Sequence, residues 1–370
     1  MSGSSKYREV TIKDVAKRAG CGIATVSRVL NKSGFSSKET REKVLAAAKD
    51  LGFEFNEIGR SLKRKGTQAI GCVIPSLINP VFASALQGIQ DELDKNGYQL
   101  LLTCTDYDLK HELDAVRTFL QKKVAGLIIT TGRLEGNASL NLLKEREIPY
   151  SLLFNYLPGS VSGVAVDNRA AGYEVGRRLA GFGHKACGYV SVNLSGSDRS
   201  QQRLQGFRQA CEDFGLNAPT IVEVSDASTK TQDELCDYLC ANSDLTAFFA
   251  SNDFIALSLI SAARRLGLRV PRHLSVVGFD GIEMGLLVDP PLATIVTDPR
   301  GMGGVSALRL LMELNVDVEN APPEAEAPYS FREGGSLGRP PSGKSVAEKL
   351  QLLRQCSEFS RHGIAERNEA

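Results

Sequence analysis

The sequence predicts an α/β chain: a small helical head followed by two doubly wound parallel α/β sub-domains. Three observations carry that prediction. From residue 68 onward, strand-sized apolar runs alternate with helical stretches, the pattern of buried parallel strands joined by helices. Near the start, two short amphipathic segments flank Gly20, the spacing of a helix-turn-helix. Charge is also divided unevenly: residues 1–66 carry 15 Lys+Arg against 7 Asp+Glu, and the remainder 29 against 36. A basic head on an acidic body implies a polyanionic partner for the head. At 370 residues the chain is too long for one ordinary core.

Composition narrows the class. The chain is 42% apolar and 24% charged, with no Trp. Its longest apolar runs (AGLIITT, ACGYV, LTAFFA) are far shorter than a membrane span, and MSGSSKYREV lacks the apolar stretch of a signal peptide. The expectation is a cytoplasmic protein with no membrane partner. Eight Cys are scattered without a C-x-x-C pair, which fits reduced thiols. Cys236 and Cys240 sit one helical turn apart with no His or third Cys nearby, so neither a metal nor any other cofactor is expected.

In the head, VTIKDVAKRAG gives a first helix. Thr11 and Asp14 have capping-box spacing, Ile12, Val15, Ala16 and Ala19 share one face, and Gly20 ends the helix. IATVSRVLN gives a second, with Val26, Val29 and Leu30 inward and Ile23, Ala24, Thr25, Ser27 and Arg28 outward. A third starts at SSKETREKVLAAAKDLG, where Ser36 and Glu39 form a second box and Gly52 a C-cap. The outward set on the second helix, small hydroxyls and one Arg, suits phosphates and a guanine edge. Double-stranded DNA is therefore the predicted partner.

The segments VTIKDVAKRAG, TVSRVLN and ETREKVLAAAKDLGF together resemble the N-terminal domain of the lactose-repressor (LacI/GalR) family of bacterial transcription regulators. The resemblance implies phosphate contacts from Thr11, Thr25, Ser27, Asn31, Ser37 and Thr40. It also implies base reading by Arg28, Ile23 and Ala24, the last two by shape and thymine methyls alone. The chain departs from the family at Cys21-Gly22, where Val-Ser is usual; Gly22 keeps the N-cap position but loses a hydroxyl contact. In the family, the segment matching FEFNEIGRSLKRKGTQ is a hinge helix that folds on the operator. Leu62 is then the minor-groove wedge at a central CpG step, flanked by Asn56, Arg60 and Lys63. The bland alternative is a basic linker with an incidental Leu. Two departures mark the segment, Phe55 for Pro and Gly59 for Ala, and the Gly makes the hinge hard to fold without DNA.

The body reads IGCVIP, helix near 80–95, YQLLLTCT, helix near 108–122, AGLIITT, then GVAVD, ACGYV, LTAFFASN and LSVVGFD. About nine strands exceed one small sheet. Two similar sub-domains are predicted, breaking near Asp167-Asn168 and crossing back near LATIVTDPRG. The resulting organisation is a head over 1–55, a hinge over 56–67, a core over 68–338 and a tail over 339–370. Within the core, 68–167 joins 299–326, and 168–296 joins 327–338. The family's core resembles periplasmic sugar-binding proteins, whose ligand lies between the sub-domains at the carboxyl ends of the strands. Strand ends then nominate Ser76, Asn79 and Phe82 after the first strand, Asn252 in FFASND and Asp280 in VVGFDG. The resemblance adds Arg203 in DRSQQRLQGF and Asn155, where relatives often have an acid. Many relatives place a ring-stacking aromatic where this chain has Asp226-Ala227, so the effector is expected to be a sugar, smaller or more polar than a hexose, with stacking from Phe82 or another aromatic.

GRPPSGKS at 338–345 matches the letters of a phosphate-binding P-loop. The context does not match: Pro340 and Pro341 supply no N–H donors, no central strand precedes the motif, and no strand follows to carry an acidic metal ligand. GMGGVS near 301 lacks dinucleotide-loop spacing, and no nucleophile–base pair is visible, so no enzyme is expected. The tail SVAEKLQLLRQCSEFSRHG reads as a short amphipathic helix with Val346, Leu350 and Leu353 on one face, either frayed or docked on the core. The reading is a homodimeric repressor, nucleoid-associated in the bacterial cytoplasm, on a pseudo-palindromic operator with a central CpG. A sugar-like effector would switch it. The alternative is a sugar-sensing binding protein whose head meets DNA weakly or not at all.

Overall fold

In the computed structural model the described residues are 10–30, 35–53, 67–156, 163–224, 229–318 and 325–367, without the side chains of 229–230 and 356–367. The chain divides into two compact units, Met1–Gln68 and Ala69–Ala370. Asn31, Asn56, Arg60, Leu62, Lys63 and the Asp226-Ala227 pair lie outside the described residues.

Among the described residues the first unit holds three helices: α1 (Ile12–Ala19), α2 (Ile23–Leu30) and α3 (Lys38–Leu51). Asp14 accepts the Thr11 backbone N–H at 2.9 Å, and Gly20 ends α1 in the left-handed region at φ 65°. Val15, Ala16, Val26, Val29, Val44, Ala47 and Ala48 form the core, with Leu30 and Cys21 packed on it. The expected box at Ser36 is displaced by one residue. Ser37 is the N-cap, accepting from the Thr40 N–H at 3.2 Å, while Glu39 takes Lys43 at 2.7 Å instead. Ser37-x-x-Thr40 offered the same cap spacing one position later, and Glu39 had a better partner four residues on.

The second unit contains two sheets. The first runs β2 (Gln99–Cys104), β1 (Ala69–Ile74), β3 (Gly126–Ile129), β4 (Tyr150–Leu153), β5 (Gly163–Val164), all parallel. The second runs β11 (Ser330–Arg332), β10 (Ala293–Val296), β9 (Ser275–Asp280), β8 (Ala247–Ala250), β6 (Cys187–Val192), β7 (Thr220–Val224). Among the described strands only β11 is antiparallel, placing Phe331 opposite Ile295. Both sheets reverse direction of growth at their first strand, β1 or β6, and this reversal is where such sheets open a crevice.

Helices α4 (Pro80–Lys95), α5 (Leu109–Gln121) and α6 (Ala138–Glu145) serve the first sheet. Helices α7 (Asn168–Phe182), α8 (Asp198–Asp213), α9 (Thr229–Ala241) and α10 (Asp253–Arg265) serve the second, followed by the short α11 (Met284–Leu287). After β10 the chain crosses back: α12 (Pro299–Glu313) packs on α4 and on β3 to β5. Each sub-domain brings two helices into backbone contact through glycine. A Cβ on Gly88 of α4 would overlap the Arg300 carbonyl of α12, and one on Gly206 of α8 would overlap the Arg169 carbonyl of α7.

GRPPSGKS follows the antiparallel edge strand β11, and its backbone serves packing. The Gly338 carbonyl accepts from His184 Nε2 at 2.9 Å, and its N–H donates to Ser275 Oγ at 3.0 Å. The tail helix is longer than expected, α13 spanning Lys344–Arg367, and its inward face differs. Leu353 is buried and Leu352 meets Gly267, while Val346 remains exposed. Lys349 is buried too, donating to the Leu245 carbonyl at 2.6 Å, and Glu348 pairs with Arg269 and Arg272. No hydrophobic period singles out a lysine as an inward residue, so the docking face lies one stripe away from the expected one.

Candidate functional site

In the first unit, α2 turns Ile23, Ala24 and Arg28 to solvent, with Thr25 and Ser27 half-buried at its edges. The Gly22 carbonyl accepts from Thr25 and Val26, starting the helix without a side-chain cap. Thr11 stands at the N-terminus of α1, its hydroxyl donating to Asp14 at 2.6 Å. Ser37 and Thr40 share a 2.8 Å hydrogen bond at the N-terminus of α3. Helix N-termini with exposed hydroxyls favour phosphate oxygens, because unpaired N–H groups and the helix dipole both attract anions.

In the second unit, the carboxyl ends of both sheets line one cleft of about 580 Å³, counting the part open to solvent. That is the size range of a small-molecule site. Of the residues nominated from strand ends and the family likeness, Asn79, Phe82, Arg203, Asn252 and Asp280 all line it. Ser76 does not: its Oγ accepts the Ile78 N–H at 3.1 Å and closes its own turn. Asn155 does not either. It is buried, and its Oδ1 accepts from the Thr131 N–H and from Arg199 Nη1, both at 3.1 Å.

Arg203 is only 8% exposed. Its Nε donates to Asn168 Oδ1 at 2.8 Å and Nη1 to the Ser251 carbonyl, while its guanidinium carbon sits 3.3 Å above the centre of the Phe279 ring. Burial lowers its pKa, and the neighbouring Asp280 charge opposes that shift. Asp280 ends β9 at φ 116°, a left-handed conformation that costs a non-glycine residue strain and aims the carboxyl into the cleft. Burial raises its pKa to about 6 against the opposing pull of Arg203 and a hydrogen bond from Asn79. Behind it, Asp253 accepts the Gly281 and Ile282 N–H groups, both at 2.8 Å, and burial raises its pKa to about 7.

Two sets of contacts join the sub-domains. Asn79 follows β1 and hydrogen-bonds Asp280 at the end of β9. On the other side, the start of α8 grips the segment after β3: Asp198 N–H donates to Gly132 O at 2.8 Å, Leu134 N–H to Asp198 Oδ2 at 2.7 Å, and Arg199 Nη1 to Thr131 O at 2.9 Å. The two sub-domains are closed on each other across the cleft.

Residues 11–56 match the bacterial regulatory proteins of the lacI family, and residues 176–337 match a periplasmic binding protein-like domain. The chain is 34% identical over 303 residues to the HTH-type transcriptional regulator DegA of Bacillus subtilis, covering 80% of this chain and 88% of that one. It is 32% identical to the HTH-type transcriptional repressor PurR of Photobacterium profundum, over 82% of this chain and 91% of the relative. The chain belongs to the LacI family of bacterial transcription regulators. The crystal structure of the lac repressor dimer bound to operator and the anti-inducer ONPF is similar at a TM-score of 0.76 and 26% identity, covering 89% of this chain and 99% of that one. As a member of the LacI family the chain is a DNA-binding transcription regulator and not an enzyme. No described helix is long and apolar enough to cross a membrane.

Several residues that line the cleft carried no sequence nomination. Arg199 precedes Arg203 by four residues, so the helical period already placed both on one face of α8. Tyr107 and Phe154 follow β2 and β4 with φ of 62° and 61°, and Phe154 meets Phe82 edge-on with centroids 5.7 Å apart. Nothing in a single sequence marks a non-glycine residue for positive φ.

Proposed function

We propose that this LacI-family regulator is a repressor whose operator affinity is set by a sugar-like effector held between the two sub-domains of its core. The observation that carries the effector site is the convergence of Asn79, Arg203, Asn252 and Asp280 on one cleft. A guanidinium and a carboxylate facing the same small space give directional hydrogen bonds to a polar ligand, and Phe82, Phe154 and Phe279 supply apolar walls.

The head reads DNA through α2. Arg28 takes a guanine edge, and Ile23 and Ala24 follow shape and thymine methyls. Thr11, Thr25, Ser27, Asn31, Ser37 and Thr40 hold phosphates. Two heads of a homodimer occupy the half-sites of a pseudo-palindrome, and two Leu62 wedges, flanked by Asn56, Arg60 and Lys63, open a central CpG. The protein acts in the bacterial cytoplasm on the nucleoid. PurR and the lac repressor, whose names state repression, support that sign of regulation.

The test is selection of bound duplexes from a random pool at near-physiological salt. Enrichment of a pseudo-palindrome with a central CpG is the expected result. A pool that stays random, with binding that vanishes steeply as salt rises, would leave phosphate attraction alone and overturn sequence reading.

A further inference from the structure

Among the charged groups and amides of the cleft, uncommitted hydrogen-bond donors outnumber acceptors. Arg199 is 9% exposed and lines the cleft, but only its Nη1 is engaged; Nε and Nη2 have no partner among the described residues. Arg203 likewise keeps Nη2, since Nε and Nη1 are taken by Asn168 and Ser251. Asn252 spends Oδ1 capping α10 at the Ile255 N–H, 2.9 Å away, which leaves its NH₂. Against these donors the lining sets one carboxylate, Asp280, already accepting from Asn79. Asp253 stands behind the lining with its oxygens on Gly281, Ile282 and Thr294.

Charge points the same way. Two guanidinium groups and one carboxylate line the cleft. At position 155 the Arg199 guanidinium meets an amide oxygen rather than a carboxylate, so the residue at that position does not neutralise it. A neutral sugar both donates and accepts through each hydroxyl and would leave a buried cation uncompensated, whereas a carboxylate only accepts.

We propose that the effector is a polyhydroxylated acid carrying one carboxylate, with that carboxylate on Arg199 and its hydroxyls between Arg203 and Asp280. This rests on the cleft being the effector site. A single negative charge matches the single excess positive charge of the lining, which favours a sugar acid over a doubly charged sugar phosphate.

The test uses the purified full chain at pH 7.5 and calorimetric titration with matched probes: gluconate, glucuronate and galacturonate against glucose, galactose and glucose 6-phosphate. At least one acid is expected to bind, with its neutral counterpart about 10–100-fold weaker. Arg199→Gln should lose that preference and Arg199→Lys should restore part of it. Asn155→Asp keeps an acceptor on Arg199 but neutralises it, so acid affinity should fall about tenfold while neutral binding holds or improves. A purely structural role for Arg199 would leave the acid-to-neutral ratio unmoved in Asn155→Asp. Silence of every acid, equal binding of neutral sugars, preference for the phosphate, or an acid response indifferent to Asn155→Asp overturns the proposal. Neutral-sugar binding that Arg203→Ala abolishes would keep the effector cleft while removing the acid; binding indifferent to Arg203→Ala removes the cleft itself.

Discussion

Replacing Asp198 by Ala tests whether the grip of α8 on the segment after β3 holds the core closed. The substitution deletes the acceptor of the Leu134 N–H, a 2.7 Å bond to a carboxylate, and leaves the Asp198 backbone bond to Gly132 intact. A hydrogen bond to a charged group contributes about 1.5–3 kcal/mol when buried. Asp198 is half-buried, and water can reach the freed N–H, so about 1–2 kcal/mol is the better expectation. That corresponds to a shift of about 5–30-fold toward the open arrangement. The direct readout is amide hydrogen exchange: protection at Leu134 and Asp198 should fall by that factor while amides in β8 and β9 stay protected. Small-angle scattering should report a larger radius in the same variant. Asp198→Asn, which keeps an oxygen in place, should recover most of the protection. If exchange at Leu134 is unchanged in Asp198→Ala, the bond is incidental and α8 does not hold the core closed through it.

Three further outcomes are expected. Arg28→Ala should weaken operator binding by about 1–3 kcal/mol and relax the preference at one base pair per half-site, measured by titration against single-base operator variants; unchanged selectivity would remove Arg28 from base reading. Gly88→Ala drives a methyl group into the Arg300 carbonyl, so thermal unfolding should show a loss of about 3 kcal/mol, far above the effect of the same change at the unobstructed Gly181. Asp253, with its pKa raised from 3.8 to about 7, binds its proton more tightly folded than unfolded, so its contribution is fully present below 3.8 and is lost as pH rises to and through about 7. The unliganded core should therefore lose stability on this account from about pH 4 to about pH 7, whereas His184 and His273, held below 6.5 by burial, act with the opposite sign. Asp253→Asn should remove the falling component, and a profile unchanged in the variant would assign it elsewhere.

Most of the fold was legible because two periods rarely coincide by chance: apolar runs of strand length and helices of 13 to 16 residues between them. What was not legible has local causes. β5 is two residues long, and β11 three, too short for any alternation to register. β2 is an edge strand with mixed burial, so its apolar letters overstate how deeply it lies. In the site, parallel strands aim their carboxyl ends at one place, so position along the chain located Asn79, Asn252 and Asp280 at the cleft. Position does not give direction. Asn155 sits at a strand end like the others, but Phe154 adopts φ 61° and Asn155 is turned to Thr131 and Arg199 instead.

Arg199 ties specificity to closure. It lines the cleft from the second sub-domain and bonds Thr131 and Asn155 of the first, while Asn79 and Asp280 join the two sub-domains on the other side. A ligand shifts an equilibrium only by its difference in affinity for the two states, and moving it from 1:99 to 99:1 takes about 10⁴-fold. Contacts made from one sub-domain alone are the same open or closed and contribute nothing to that difference. Contacts that reach from Arg199 or Arg203 to Asn79 exist only when the cleft is shut. A molecule that satisfies Arg203 and Asp280 alone should therefore bind without changing the operator response. The response should appear only in molecules that also reach Asn79, Phe82 or Phe154 of the first sub-domain. Responders and silent binders should then separate by reach across the cleft rather than by affinity, and a tight binder confined to one sub-domain that still released the operator would break this link.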